Sequence, residues 1–143
     1  MVARSLEHPS PIIINTQRIP RQVPKSRPRR SALLQSHPEG PSGKSFLWKD
    51  LKGKNGLPEG VNLKDLALYA IERAGITKPV VLVEGEKCAD SLLNLDINAV
   101  GTVCGAASIP GDDALSPLLS FSEVILWPDN DDAGNSHMEK IAN

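Results

Sequence analysis

Three carboxylates, Glu84, Asp129 and Asp131, stand where two short aliphatic runs stop. The first run, Val80-Val81-Leu82-Val83, breaks into Glu84-Gly85-Glu86-Lys87. The second, Val124-Ile125-Leu126-Trp127-Pro128, breaks into Asp129-Asn130-Asp131-Asp132. Runs of this length and composition read as buried parallel strands, and ligands of open α/β sheets collect at the carboxyl ends of such strands. Acids on one rim repel one another unless a proton or a cation joins them. A divalent metal with a phosphate substrate is therefore the chemistry these residues suggest. Asp129 and Asp131, two apart in extended chain, project to one side. Mg²⁺ takes one or two such carboxylates and leaves positions for water and phosphate oxygens. The competing reading is a solvated turn in which Asp131 or Asp132 caps the next helix. A calcium loop of the EF-hand type fails, because the twelfth position, which should be a bidentate Glu, is Lys140.

The neighbours of these acids have weaker claims. Glu86 is either an acid standing behind the ligands or a first-turn helix residue favoured by the helix dipole. Lys87 could touch a phosphate or simply be a solvated helix residue. Asp132 shares the acidic turn, and His137 follows within a turn or two of helix, as an inert surface residue or a further ligand. The turn Gly105–Ser108 could offer N–H groups to an anion. Gly40-Pro41-Ser42-Gly43-Lys44-Ser45 imitates a nucleotide-binding loop, but the required Gly is Pro38 and no apolar strand precedes it.

The elements that must position these residues follow from periodicity. Asn62 is expected to cap a helix with Leu63, Leu66, Ala67, Ala70 and Ile71 on one stripe and Gly75 as its stop. A strand over 80–84 comes next, then a helix over Lys87–Leu95 and a strand over Ile97–Cys104. A short helix from Asp112 or Asp113 to about Leu119 leads to a strand over 123–127 and a last helix over Ala133–Ala142. This alternation predicts an α/β fold with a parallel sheet flanked by helices. Phe46–Lys49 reads as a short strand.

Charge divides the chain. Through Lys44, eight Lys and Arg face two carboxylates, a balance of +6, against −7 for the remainder. Seven of the 12 Pro also precede residue 45. Residues 1–45 are therefore expected to be a basic, Pro-rich, largely disordered arm, suited to nucleic-acid phosphate or to the role of a solvated linker. Residues 46–77 would be a connecting segment and 78–143 the sheet domain. Two cysteines, Cys88 and Cys104, make neither a disulfide framework nor a zinc ribbon and read as reduced thiols. With no long apolar run and no secretory signal, a cytoplasmic setting is expected, with no membrane partner.

Glu84-Gly85 after one strand, Asp129-x-Asp131 after a later one and Ala133-Gly134 opening the next helix resemble the topoisomerase–primase (Toprim) domain. The stretches Val83–Leu92 and Trp127–Gly134, with His137-Met138, are closest to its primase branch in phages, plasmids and mobile elements. The resemblance runs from about Lys78 to the C-terminus, and more weakly back to about Phe46. It implies that Glu84 is the acid–base carboxylate, that Asp129 and Asp131 hold Mg²⁺ or Mn²⁺ with Glu84 beside them, and that Gly85 turns where phosphate approaches. The implied activity is nucleotidyl transfer in primer synthesis for DNA replication. Its partners would be a single-stranded DNA template, nucleotides and a helicase domain or protein. Alternatives are a Toprim-type nuclease or topoisomerase fragment, or a non-catalytic nucleic-acid-binding module. Two departures stand out. Many primases carry Asp where this chain has Cys88, with Asp90 nearby at another helical angle. The family also has a further acidic strand end downstream of Asn143. The isolated chain is accordingly expected to be incomplete and a poor enzyme. Tyr69, the only tyrosine, falls upstream of the fold as a poor topoisomerase nucleophile.

Overall fold

Val80–Glu84 (β4) is the strand around which the domain is built, and four of its five residues are buried because both faces are covered. The computed structural model describes residues 10–16, 32–36, 46–50, 53–103 and 108–143. Ile12–Asn15 (β1), Ala32–Ser36 (β2) and Phe46–Asp50 (β3) precede β4 in the chain. Gly85–Leu93 (α1), Ala99–Thr102 (β5), Asp112–Leu115 (α2), Glu123–Trp127 (β6) and Asp132–Ala142 (α3) follow it. The main sheet runs β1-β6-β4-β5, and β2 and β3 form a separate antiparallel pair.

The α/β class expected from the alternation is present, but the sheet is mixed. β4 is parallel to β5 and β6, whereas β1 lies antiparallel on β6 with Ile12 opposite Leu126 and Ile14 opposite Val124. Two stretches expected to be disordered arm are thus strands. β1 is held by Ile12 and Ile14, which pack on the core under α3. The buried Thr16 hydroxyl donates to the Phe121 carbonyl just beyond it. The β6 edge of the parallel strands is covered by β1. The Gly40–Ser45 loop, Cys104 and residues 105–107 of the Gly105–Ser108 turn lie outside the described residues.

A second correction concerns the helix expected after Asn62. Only a single 3-10 turn forms at Leu63–Asp65, closed by Asp65 accepting from the Asn62 backbone and side-chain amides at 3.1 Å each. The chain then runs extended. Leu66, Leu68 and Ala70 are buried in alternation, and Tyr69 exchanges backbone hydrogen bonds of 2.8 and 3.1 Å with Gly101 of β5. The apolar positions fit a period of two once Leu68 is counted. Ala70, at φ 63, cannot sit in a right-handed helix. This segment lies against the β5 edge.

The core fills both faces. Leu82, Val100, Leu126 and Met138 pack on the α3 side, and Val81, Val83, Ala89 and Ala99 on the α1 side. Full burial of each large aliphatic chain contributes roughly 1.5–3 kcal/mol. Strands 80–84 and 123–127 form as expected, β5 is shorter than expected, and α1 begins two residues early. Among the described residues, no helix is long and apolar enough to cross a membrane.

Candidate functional site

Adjacent parallel strands β4 and β6, with Val83 opposite Trp127, deliver their acids to one rim of the sheet. Glu84 ends β4 in extended conformation (φ −80, ψ 121) and is the N-cap residue of α1. The chain can enter α1 at once because Gly85 adopts φ 78, a conformation that costs an L side chain about 1–2 kcal/mol. After β6, the Asp131 N–H donates to the Asp129 carbonyl at 2.8 Å in a tight turn. Asp131 then caps α3, its Oδ1 accepting from the Gly134 N–H at 2.7 Å. Of the two readings of this turn, capping is therefore realised by one oxygen of Asp131. Asp129 and Asp132 are exposed.

Gly134 knits the two strand ends together. A Cβ on Gly134 would lie 2.7 Å from Glu84 Oε1 and 2.8 and 2.9 Å from the Asp129 carbonyl oxygen and nitrogen. The first turn of α3 thus rests directly on both acids. One turn further, His137 is only 1% exposed, so it is not the surface residue expected from sequence. Its electrostatic influence on Glu84 opposes the effect of the other acids.

Burial, followed by the charges of Asp129 and Asp131, pushes the Glu84 carboxyl above the ordinary carboxylate range, against the pull of His137 and the Asp129 backbone N–H. Burial and then the charges of Asp129 and Glu84 raise the Cys88 thiol, against Lys87. Cys88 is exposed, so it senses the acidic rim electrostatically while not packing into α1's core face. Burial and Asp90 raise Glu86, while Lys87 projects into solvent. Asp90 is drawn to the flank, where it accepts from the Tyr69 hydroxyl at 2.8 Å. The Arg73 guanidinium lies 5.3 Å over the Tyr69 ring.

Thr102 was not singled out in the sequence. It pairs in register with Glu84 across β5 and β4. Its hydroxyl and Glu84 Oε1 are both buried without a hydrogen-bond partner, which sets two polar atoms in want of a partner side by side at the rim. The available signal is a hydroxyl residue ending an otherwise apolar strand beside the glutamate's strand. Among the described residues, no group of three His, Cys, Asp or Glu side chains is gathered tightly enough to hold a metal by itself. Glu84, Asp129 and Asp131 share a rim without forming a closed cage.

Comparison with known protein families, with curated proteins and with solved structures finds no match to this chain.

The raised Glu84 pKa has a measurable consequence. A carboxyl whose folded pKa exceeds its unfolded value contributes stability that is complete below the unfolded pKa, at about pH 4, and is lost as pH rises through the folded value. Glu84→Gln removes that loss. Its Tm should exceed that of wild type at pH 7, without added metal, and the gap should close on acidification towards pH 3. A gap that widens in acid would mean the Glu84 pKa is lowered.

Proposed function

We propose that this chain is a Toprim-type domain of a DNA primase or primase–helicase, contributing the acidic rim for Mg²⁺-dependent nucleotidyl transfer on a single-stranded DNA template. The observation that carries this reading is the joint seating of Glu84 and the Asp129–Asp131 turn on adjacent strand ends, under the first turn of α3. Asp129 and the Asp131 oxygen not engaged by Gly134 are the residues that would hold Mg²⁺ or Mn²⁺. The donor set fits, because Mg²⁺ is satisfied by one or two carboxylates with water and substrate phosphate oxygens completing the shell. When bound, the cation supplies neutralisation and alignment of phosphate oxygens.

The protein's own residues carry the proton. Glu84, raised above the ordinary range, is suited to accept a proton from an attacking sugar hydroxyl and release it afterwards. The Gly85 turn keeps backbone rather than side chain at the point where phosphate approaches. Tyr69 gives the topoisomerase reading no support, because its hydroxyl is committed to Asp90.

Manganese binding followed by calorimetry tests the site. Asp129→Asn should lower Mn²⁺ affinity by about tenfold or more, and unchanged binding in that variant would reject the assignment. Template-dependent incorporation of labelled nucleotides, weak from this chain alone and abolished by Glu84→Gln, tests the chemistry. Metal-dependent cleavage of the template instead would move the domain to the nucleases.

A further inference from the structure

The face of the sheet under α3 is apolar until its last row. Val80, Leu82 and Val100 pack there with Leu126 and Met138. Two residues beyond Leu82 and Val100 stand Glu84 and Thr102, side by side in register, and alternation along each strand puts both on that same face. The close approaches agree. A Cβ on Gly134 of α3 would meet Glu84 Oε1, whereas a Cβ on Gly101, one residue before Thr102, would meet Gly85 and Ala89 on the α1 side. Thr102 is 0% exposed, Glu84 Oε1 is buried, and neither the hydroxyl nor that oxygen has a hydrogen-bond partner. Buried polar atoms without partners are rare. These two are complementary, since a hydroxyl donates and a carboxylate oxygen accepts. They stand on neighbouring strands, about 4.8 Å apart at the backbone. Both atoms are carried on rotatable bonds, and a change of rotamer lets them meet.

We propose that Thr102 is the positioning residue of Glu84, its hydroxyl donating to Oε1 and holding that oxygen inward against the sheet. The bond fixes the plane of the carboxyl and leaves the other oxygen for the substrate. Donation to a carboxylate also favours its ionised form. Thr102 thereby works with His137 and the Asp129 N–H against burial and the charges of Asp129 and Asp131, and keeps Glu84 able to accept a proton. What the bond contributes to catalysis rests on Glu84 being the proton acceptor of the proposed transfer; the bond itself does not.

The sign of one substitution tests this. Thr102→Val keeps the shape of the side chain and removes the hydroxyl. A hydroxyl buried without a partner is destabilising, so this change would raise Tm if Thr102 stood alone. If Thr102 holds Glu84, the change strands a buried carboxylate oxygen and should lower the Tm of the metal-free full chain at pH 7 by about 5 °C. In a Glu84→Leu background the hydroxyl has lost its acceptor, and adding Thr102→Val should cost nothing or raise Tm. A packing role for Thr102 would not produce that reversal. The ¹³C resonance of the Glu84 carboxyl carbon, assigned by its absence in Glu84→Leu, supplies a direct readout at the same pH. It should move in Thr102→Val and keep its wild-type position in Thr102→Ser, which retains the hydroxyl. If Thr102→Val does not fold, Thr102→Ala is compared with Thr102→Ser by the same resonance, since those two differ only in the hydroxyl. If Glu84→Leu does not fold, the resonance is assigned in Glu84→Gln and decides alone. A Tm above wild type in Thr102→Val, a comparable fall in the Glu84→Leu background, or a carboxyl resonance indifferent to loss of the hydroxyl would overturn the proposal. The second result would give the hydroxyl a partner other than Glu84, with the buried His137 of α3 the nearest in kind. Every measurement is made without metal, nucleotide or template, so the bond is judged apart from the rim, which Mn²⁺ affinity in Asp129→Asn judges by itself.

Discussion

Gly134→Ala is expected to destabilise the domain by about 3 kcal/mol, a fall in Tm of roughly 10 °C for a chain of this size. The sign is informative, because Gly to Ala inside a helix ordinarily gains up to about 1 kcal/mol. Here the new methyl would stand 2.7 Å from a buried Glu84 oxygen and under 3 Å from two backbone atoms of Asp129. A side-chain tip can swing aside, but the Asp129 backbone is fixed by its hydrogen bond to Asp131. The first turn of α3 must therefore lift away, which breaks the 2.7 Å cap between Gly134 and Asp131. Mn²⁺ affinity should fall along with stability, since the same movement separates Asp131 from Glu84. Gly75→Ala is the matched control, because its Cβ would meet nothing within 4 Å. Thermal melts in which Gly134→Ala is as stable as wild type would show that α3 does not rest on the acids.

The rim is legible in sequence because short aliphatic runs that end abruptly in acids read as buried parallel strands with carboxylates at their carboxyl ends. Val80–Val83 and Val124–Trp127 are short, β-branched and bounded, and both become strands where the pattern puts them. The residues that finish the site are harder to read. Thr102 ends β5 as one hydroxyl after a short apolar run, and only the parallel register with β4 brings it beside Glu84. His137 is polar by type, yet it follows Gly134 by three residues and so shares its buried side of α3. The edge elements fail for a different reason. Leu63, Leu66, Ala67, Ala70 and Ile71 satisfy a helical stripe, while Leu66, Leu68 and Ala70 satisfy a strand. Local pattern cannot choose between them, and the unpaired edge of β5 does. Ile12-Ile13-Ile14 after Pro11 is a strong edge-strand signal, but it is submerged in the basic, Pro-rich composition around it. Averaged composition hides an element four residues long.

Gly101→Ala is expected to cost about as much as Gly134→Ala, roughly 3 kcal/mol, and to act on the rim from the opposite side of the sheet. Gly101 holds two elements at once. Its N–H and C=O bind Tyr69, fixing the Leu66–Ala70 segment against β5. A Cβ there would lie 2.6 Å from the Gly85 carbonyl oxygen, 3.0 Å from its carbon and 3.3 Å from the Ala89 side chain. The two nearest atoms are backbone, in a turn already held at φ 78, so relief requires α1 to move as a body. Movement of α1 carries Gly85, displaces Glu84 from the Gly134 contact and weakens the Tyr69–Asp90 bond across the flank. Tyr69→Phe separates these effects. It removes only a part-buried hydroxyl bond, costs about 1 kcal/mol and leaves the Gly85 turn alone. Amide exchange supplies the local readout. Protection at Ala89, in the second turn of α1, and at Tyr69 should drop together in Gly101→Ala, whereas Tyr69→Phe should leave Ala89 as in wild type. Wild-type Tm and unchanged protection at Ala89 in Gly101→Ala would show that α1 has room to spare, and that the Glu84 turn is not set by its close approach to β5.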